Sequence, residues 1–290
     1  MSTKTKHKKK HTAKKKNTKI TKKPKTKSNV RKKKKAAAKV GAGLDRRRKI
    51  TVAVSTILVV IIAITVVIAA QNSEKHNFLN TDKDIAYGID VSSHNGKIDW
   101  KTVSKNVDFA FIRVGYRGYT EGELNEDKFS KKNLAEAQKA GVPVGVYIYS
   151  QAINEKEAEE EADFAVQIAK KYDVTLPIFI DCEYAYSKGG HTGRLHSAKL
   201  SKKEMTVVVN AFCKRIKKLG YTPGVYASTY FYESVFDSKN ITHDAFIWLA
   251  DYNKKVTYGG DYDIWQKTEK GSCDGVSSKY VDIDYWYQKK

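Results

Sequence analysis

The sequence predicts an α/β protein built on a barrel, preceded by a single transmembrane helix and a disordered basic tail. Three observations carry the prediction. From residue 85 onward strand-like and helix-like stretches alternate, the pattern of a parallel sheet with both faces covered. Eight strand candidates fall within about 200 residues, enough for a closed barrel in which the later crossovers are reduced. Upstream lies one uncharged apolar run, and before it a tail that holds all of the net charge. An open doubly wound sheet is the alternative. No Gly-rich phosphate fingerprint follows the first strand, which counts against its nucleotide-binding version.

The tail, residues 1–49, has 23 Lys or Arg and one acid, Asp45, so the formal charge of +22 belongs to it; residues 50–290 carry 31 of each sign. With almost no large apolar side chain it cannot bury a core, and disorder is expected. It is longer than membrane orientation requires, so contact with anionic lipid or nucleic acid is expected of it. Residues 50–70, "ITVAVSTILVVIIAITVVIAA", hold 21 residues without a charge. As a helix they span roughly 30 Å, the thickness of a bilayer's hydrocarbon core. "RRRK" precedes the run and "QNSEKHN" follows it, which puts the N-terminus in the cytoplasm and the remainder outside. A cleaved signal peptide is the competing reading, because Ala69 and Ala70 are small. The run is longer than the usual apolar region of about 7–15 residues, and a leader preceding it is normally short.

Residues 71–83 read as a polar linker, and 84–290 as one domain with a full core. "IAYGIDVS" (85–92) is the first strand, followed by a short helix with Asp99 at its start. "FAFIRVGY" (109–116) leads into a helix closed by Gly141, and "PVGVYIYS" (143–150) into one where Asn154 and Glu157 have capping-box spacing. "LPIFIDCEY" is the fourth strand. In the next helix Ser201 and Glu204 form a capping box, Met205, Val208, Val209, Phe212, Ile216 and Leu219 share a face, and Gly220 ends it. "TPGVYAS" (222–228), "AFIWLADY" (245–252), "YDIWQKT" (262–268) and "YVDIDYWY" (280–287) complete the strands, the last three without a long helix between them.

Barrel active sites lie at the C-terminal ends of the strands. That rule gathers Asp90; Tyr147 and Tyr149, two apart and so on one face; Asp181 and Glu183, likewise; Tyr226; Trp248; Trp265 and Gln266; and Asp282 with Asp284. Asp251, beside "NKK", reads as a loop residue. Carboxylates among aromatic rings are the composition for carbohydrate, since rings stack on sugars and paired acids break glycosidic bonds. A single Asp at a strand end is usually a cap, and strand aromatics are usually core. Four acids at one mouth are harder to set aside. His94, His191, His196 and His243 lack zinc-ligand spacing, and no GxSxG elbow is present. No cofactor or metal is indicated. Cys182, Cys213 and Cys273 make no framework, although a Cys182–Cys213 bridge is compatible with their neighbourhoods.

In order, "YGIDVSSHNGKIDW", "FAFIRVGY", "VGVYIYSQA", "EAEEEADF", "PIFIDCE", "GVYAS", "IWLADY", "IWQ" and "VDIDYW" resemble the lysozymes of glycoside hydrolase family 25 over essentially all of 85–287. The resemblance implies an irregular TIM-like barrel of five βα units followed by three strands. It also implies cleavage of the β-1,4 bond between N-acetylmuramic acid and N-acetylglucosamine in peptidoglycan. Carried over, Glu183 matches the proton donor, Asp181 the acid that orients or polarises the substrate's 2-acetamido group, and Asp90 and Asp282 the remaining acids. Tyr147, Tyr149, Trp248 and Trp265 match saccharide-groove positions. "YHF" of many members is here Tyr147-Ile148-Tyr149, "WQY" is Trp265-Gln266-Lys267, and "DLN" is Asp282-Ile283-Asp284. Glu183 is expected to be protonated with Asp181 as its ionised neighbour. The chain is expected to act as a monomer on peptidoglycan glycan strands, held by residues 50–70 at the cell membrane with the domain facing the wall. A non-catalytic wall-binding barrel is the rival reading.

Overall fold

A computed structural model of the chain describes residues 35, 39, 45–63, 79 and 82–288. The chain divides into two compact units, Met1–Gln71 and Asn72–Lys290. In the first, a helix, α1, covers residues 45–63. It includes Arg46, Arg47, Arg48 and Lys49, which the sequence assigned to a disordered tail; Lys and Arg are good helix formers, and Lys49 pairs with Asp45 one turn away at 3.1 Å. Among the described residues no helix is long and apolar enough to cross a membrane. Residues 64–70 of the predicted span, and most of the tail, lie outside the described residues.

In the second unit, β1 (Ile85–Val91), β2 (Phe109–Arg117), β4 (Val144–Ser150), β5 (Ile178–Cys182), β8 (Pro223–Ser228), β9 (Phe246–Ala250), β10 (Ile264–Gly271) and β11 (Val281–Tyr287) close an eight-stranded barrel, with β3 (Leu124–Glu126) added outside β2. Neighbours are parallel from β1 round to β10, while β11 runs antiparallel to both β10 and β1. The crossovers are α2 (Trp100–Val103), α3 (Ser130–Lys139), α4 (Glu155–Ala169) and α6 (Lys202–Lys218), and β8 is followed by a π-helical turn, Phe231–Val235, and a short 3-10 turn, Ser238–Asn240. The expected barrel is present. Sequence patterning missed β3, the hairpin β6 (Ala185–Ser187) and β7 (Gly190–Thr192), and α5 (Gly193–Ala198), because all are too short to show a period.

The helix boundaries follow from capping. Asp99 accepts from the backbone of Lys101 and Thr102, and Ser201 and Glu204 cap each other's backbone in both directions. At α4 only half of the expected box forms: Asn154 accepts from Glu157 N, while the Glu157 carboxylate takes Ile153 N and Arg194 instead.

Two apolar clusters result from strand alternation. Outward residues such as Ile112, Val146, Ile180 and Val225 pack under the helices. Inward ones, Phe109, Phe111, Phe179, Phe246, Trp248 and Trp286, fill the barrel. Inward glycines make room for them. A Cβ at Gly88 or Gly224 would overlap the Phe109 or Phe179 ring on the next strand. Leu79 joins the inner cluster and is 2% exposed, so the stretch expected as a free polar linker has one residue built into the barrel. Cys182, Cys213 and Cys273 are free thiols.

Candidate active site

The mouth is built from strand ends. Asp181 is the penultimate residue of β5, flanked in register by Tyr149 of β4 and Tyr226 of β8. Glu183 lies one residue past the strand. On the far wall Asp90 of β1 stands opposite Asp282 of β11. Because β11 is antiparallel, Asp282 reaches the mouth from the start of its strand and not from the end that the parallel rule assumed. Asp284, two residues further along, therefore lies deeper, fully buried, accepting from Trp248 Nε1 at 2.8 Å.

Two carboxyl pairs occupy this space. Glu183 stands beside Asp181 and Asp284 beside Asp90, the first of each pair raising the pKa of the second. With all four ionised, the buried Asp181 Oδ1 and Asp284 Oδ2 would have no partner. A proton held within each pair avoids two adjacent negative charges. The pKa of Asp181 is raised well above the ordinary carboxylate range, first by burial and then by Glu183, against the pull of Arg113. That of Glu183 is also raised, by the protein around its carboxyl, with the Asp181 hydrogen bond and Arg113 opposing. Both acids are thus pushed toward the protonated form, Asp181 the more strongly. Asp181 is only 4% exposed while Glu183 is exposed, so burial disfavours the ionised form of Asp181 more than that of Glu183. Burial and the neighbouring acids Asp282 and Asp284 push Asp90 well up, and burial with Glu269 raises Asp282 to about 6.

Gln266 ties the far wall together. Its Nε2 donates to Asp90 Oδ2 at 2.7 Å, and its Oε1 accepts from the hydroxyls of Tyr226 (2.8 Å) and Tyr252 (2.7 Å). Tyr147 packs edge-on against Trp248, and burial raises the hydroxyl pKa of both Tyr147 and Tyr149. Two expected groove residues are elsewhere. Trp248 is 1% exposed and forms the floor under the mouth, in contact with Phe111, Phe179 and Tyr226. Trp265 cannot face inward together with its neighbour Gln266. It points out of the barrel, donates to Asp251 O at 2.6 Å and packs beside Tyr285. Asp251 is a loop residue as expected, directly after β9. It gathers Thr229, Asn253 and Thr257, bonds that hold its pKa down to about 2.

Sequence reasoning missed Arg113, held by Asp127 (2.8 Å) and Ser93 (3.2 Å) and facing Asp181. The signal was present, a lone cation within the apolar strand "FAFIRVGY". It also missed Tyr252 and Glu269, which only the barrel's closure brings to the mouth. His191 and His196 come together around Tyr184, their ring centroids 5.9 Å apart, but among the described residues no group of His, Cys, Asp and Glu is suited to hold a metal.

Residues 89–276 match the family described as Glycosyl hydrolases family 25. The uncharacterized protein YegX of Escherichia coli K12 is 27% identical over 201 residues, which cover 66% of this chain and 66% of that protein; the match thus spans just under two thirds of the curated relative's length. Among solved structures, the modular autolysin LytC of Streptococcus pneumoniae, in complex with a synthetic peptidoglycan ligand, superposes with a TM-score of 0.59 at 28% identity, covering 70% of this chain and 47% of that one. A family 25 glycosyl hydrolase of Bacillus anthracis superposes with a TM-score of 0.58 at 25% identity, covering 73% of this chain and 93% of that one. An eight-stranded barrel with acids paired at its mouth, and a family match over most of that barrel, identify the chain as a member of the glycosyl hydrolases of family 25.

Proposed function

We propose that the chain is a peptidoglycan hydrolase, cleaving the β-1,4 bond between N-acetylmuramic acid and N-acetylglucosamine with Glu183 as general acid. The observation that carries this reading is the Asp181–Glu183 pair at the end of β5, a buried acid beside an exposed one at the barrel mouth. When the substrate's acetamido N–H donates to Asp181, that carboxylate is stabilised ionised, and the proton is left to Glu183, which faces the leaving oxygen. Asp181 then steadies the acetamide as its oxygen attacks the anomeric carbon, the substrate-assisted form of glycoside cleavage. Tyr147, Tyr149, Tyr226 and Gln266 would shape the sugar site. The ligand held by the LytC autolysin supports peptidoglycan as the substrate class. A non-catalytic wall-binding barrel is disfavoured because both members of the pair are present.

The same reading keeps the chain in the cell membrane through residues 50–70, with the barrel facing the wall. Its support is the exposure of half or more of the surface of Val52, Ile57, Leu58, Val59 and Ile62 along α1, an apolar surface that an aqueous monomer would not leave open.

The test is the full chain in detergent on purified peptidoglycan, beside Glu183→Gln, with products reduced and sized by mass spectrometry. New muramic acid ends from the wild type, and at least about 10²-fold fewer from the variant, are expected. Sedimentation with the wall without new ends would favour the binding barrel.

A further inference from the structure

Among the buried polar groups around the mouth, Gln151 stands where three elements meet. It follows β4 directly and is fully buried. Its Nε2 donates to the carbonyl oxygen of Glu183 at 3.1 Å and to Ser150 O at 2.9 Å. Its Oε1 accepts from Leu195 N, in the first turn of α5, at 3.3 Å. The chain closes tightly over it: a Cβ at Gly193, where φ is +89°, would stand 2.9 Å from that oxygen. The carbonyl oxygen of Gln151 is held in turn by Arg194 at 2.9 Å, and Arg194 grips Glu157 through two bonds of 2.7 and 2.8 Å.

Glu183 needs such a support. It lies beyond the last paired residue of β5, where Ser150 stands opposite Cys182, so no strand partner fixes its peptide. The hairpin β6–β7 then carries the chain away and returns it through Gly193. A primary amide is the side chain that offers a donor to the outgoing strand and an acceptor to the returning helix from one buried end.

We propose that Gln151 is a positioning residue for the proton donor, fixing the Glu183 peptide so that its carboxyl meets both Asp181 and the leaving oxygen. This rests on the reading of Glu183 as general acid. Gln151 itself touches no substrate, and its effect passes through the geometry of the acid pair. A displacement of about 1 Å at a reacting group can lower turnover by about 10²-fold.

The experiment uses the full chain in detergent with Gln151→Met, which nearly keeps the volume and drops all three side-chain bonds, and Gln151→Glu, whose carboxylate keeps the acceptor for Leu195 N and loses the donor to Glu183 and Ser150. The kcat, KM and pH profile on purified peptidoglycan are compared with wild type. A fall in kcat of about 10- to 100-fold with KM little changed is expected. The alkaline limb should also move, because the two carboxyls no longer stand at the same distance from each other. Should Gln151→Met fail to fold, Gln151→Glu decides. A lowered melting temperature with kcat and the pH limb unchanged would show a purely structural glutamine and overturn the proposal. An inactive wild type would overturn the reading beneath it; an active wild type matched by both variants would overturn this inference alone.

Discussion

Asp282 and the Asp181–Glu183 pair make opposite demands on pH. Asp282 sits at about 6, raised by burial and by Glu269, so it changes charge within the working range of a wall enzyme. If the mouth needs its negative charge to steady the cationic character of the breaking bond, activity falls as pH drops below about 6 and the carboxyl is protonated. The acid pair acts the other way under the proposed role of Glu183 as general acid, since the pair must then hold a proton to donate, and activity falls as pH rises and the proton is lost. A bell-shaped profile of kcat/KM is therefore expected, with its acid limb near 6 set by Asp282. Asp282→Asn should lose that limb while keeping the alkaline one, and should be slower at the optimum by about 10-fold or more. An unmoved acid limb in the variant would assign it to another acid.

At the scale of elements, small inward residues decide how the barrel closes. Gly88, Gly145 and Gly224 lie beneath the rings of Phe109, Phe111 and Phe179 on neighbouring strands, so each large side chain fills the space its neighbour leaves. Gly224→Ala drives a methyl group into the Phe179 ring and is expected to cost about 1–3 kcal/mol. Urea unfolding of the variant measures this, and a midpoint equal to wild type would mean that β5 and β8 separate without strain. Much of this layer was legible in the sequence. Met205 to Ile216 repeats at helical spacing between a capping box and Gly220, and α6 follows. The apolar strands stand in the expected order because each is bounded by a turn or cap. What was hidden depends on partners distant in sequence. The direction of β11 follows from its pairing with β1 at the other end of the domain, Ile85 opposite Tyr287 and Asp90 opposite Asp282, and nothing in "VDIDYW" records it. Trp265 and Gln266 were both expected in the groove although adjacent strand residues face opposite ways, so alternation alone could have separated them. The unequal burial of Asp181 and Glu183 was out of reach, because spacing places two acids on one face without saying which is buried.

On the scale of the whole molecule, the barrel begins before its first strand. Leu79 packs into the inner cluster with Ala86 and Phe246, so the unit that carries the mouth includes part of the segment following the apolar run. The proposed anchoring by residues 50–70 makes a prediction that fractionation of the cell envelope can check. The expected outcome is that the full chain, made in its own cell envelope, stays in the membrane pellet after an alkaline carbonate wash, while a variant lacking residues 1–71, which has lost the segment that would carry it across, is recovered in the soluble cytosolic fraction. Protease added from outside should remove the barrel and spare the tail, as the excess of positive charge before residue 50 requires. Recovery of the wild-type barrel free of the membrane, with a new N-terminus close to residue 71, would instead establish a cleaved leader and an enzyme able to diffuse away from its cell.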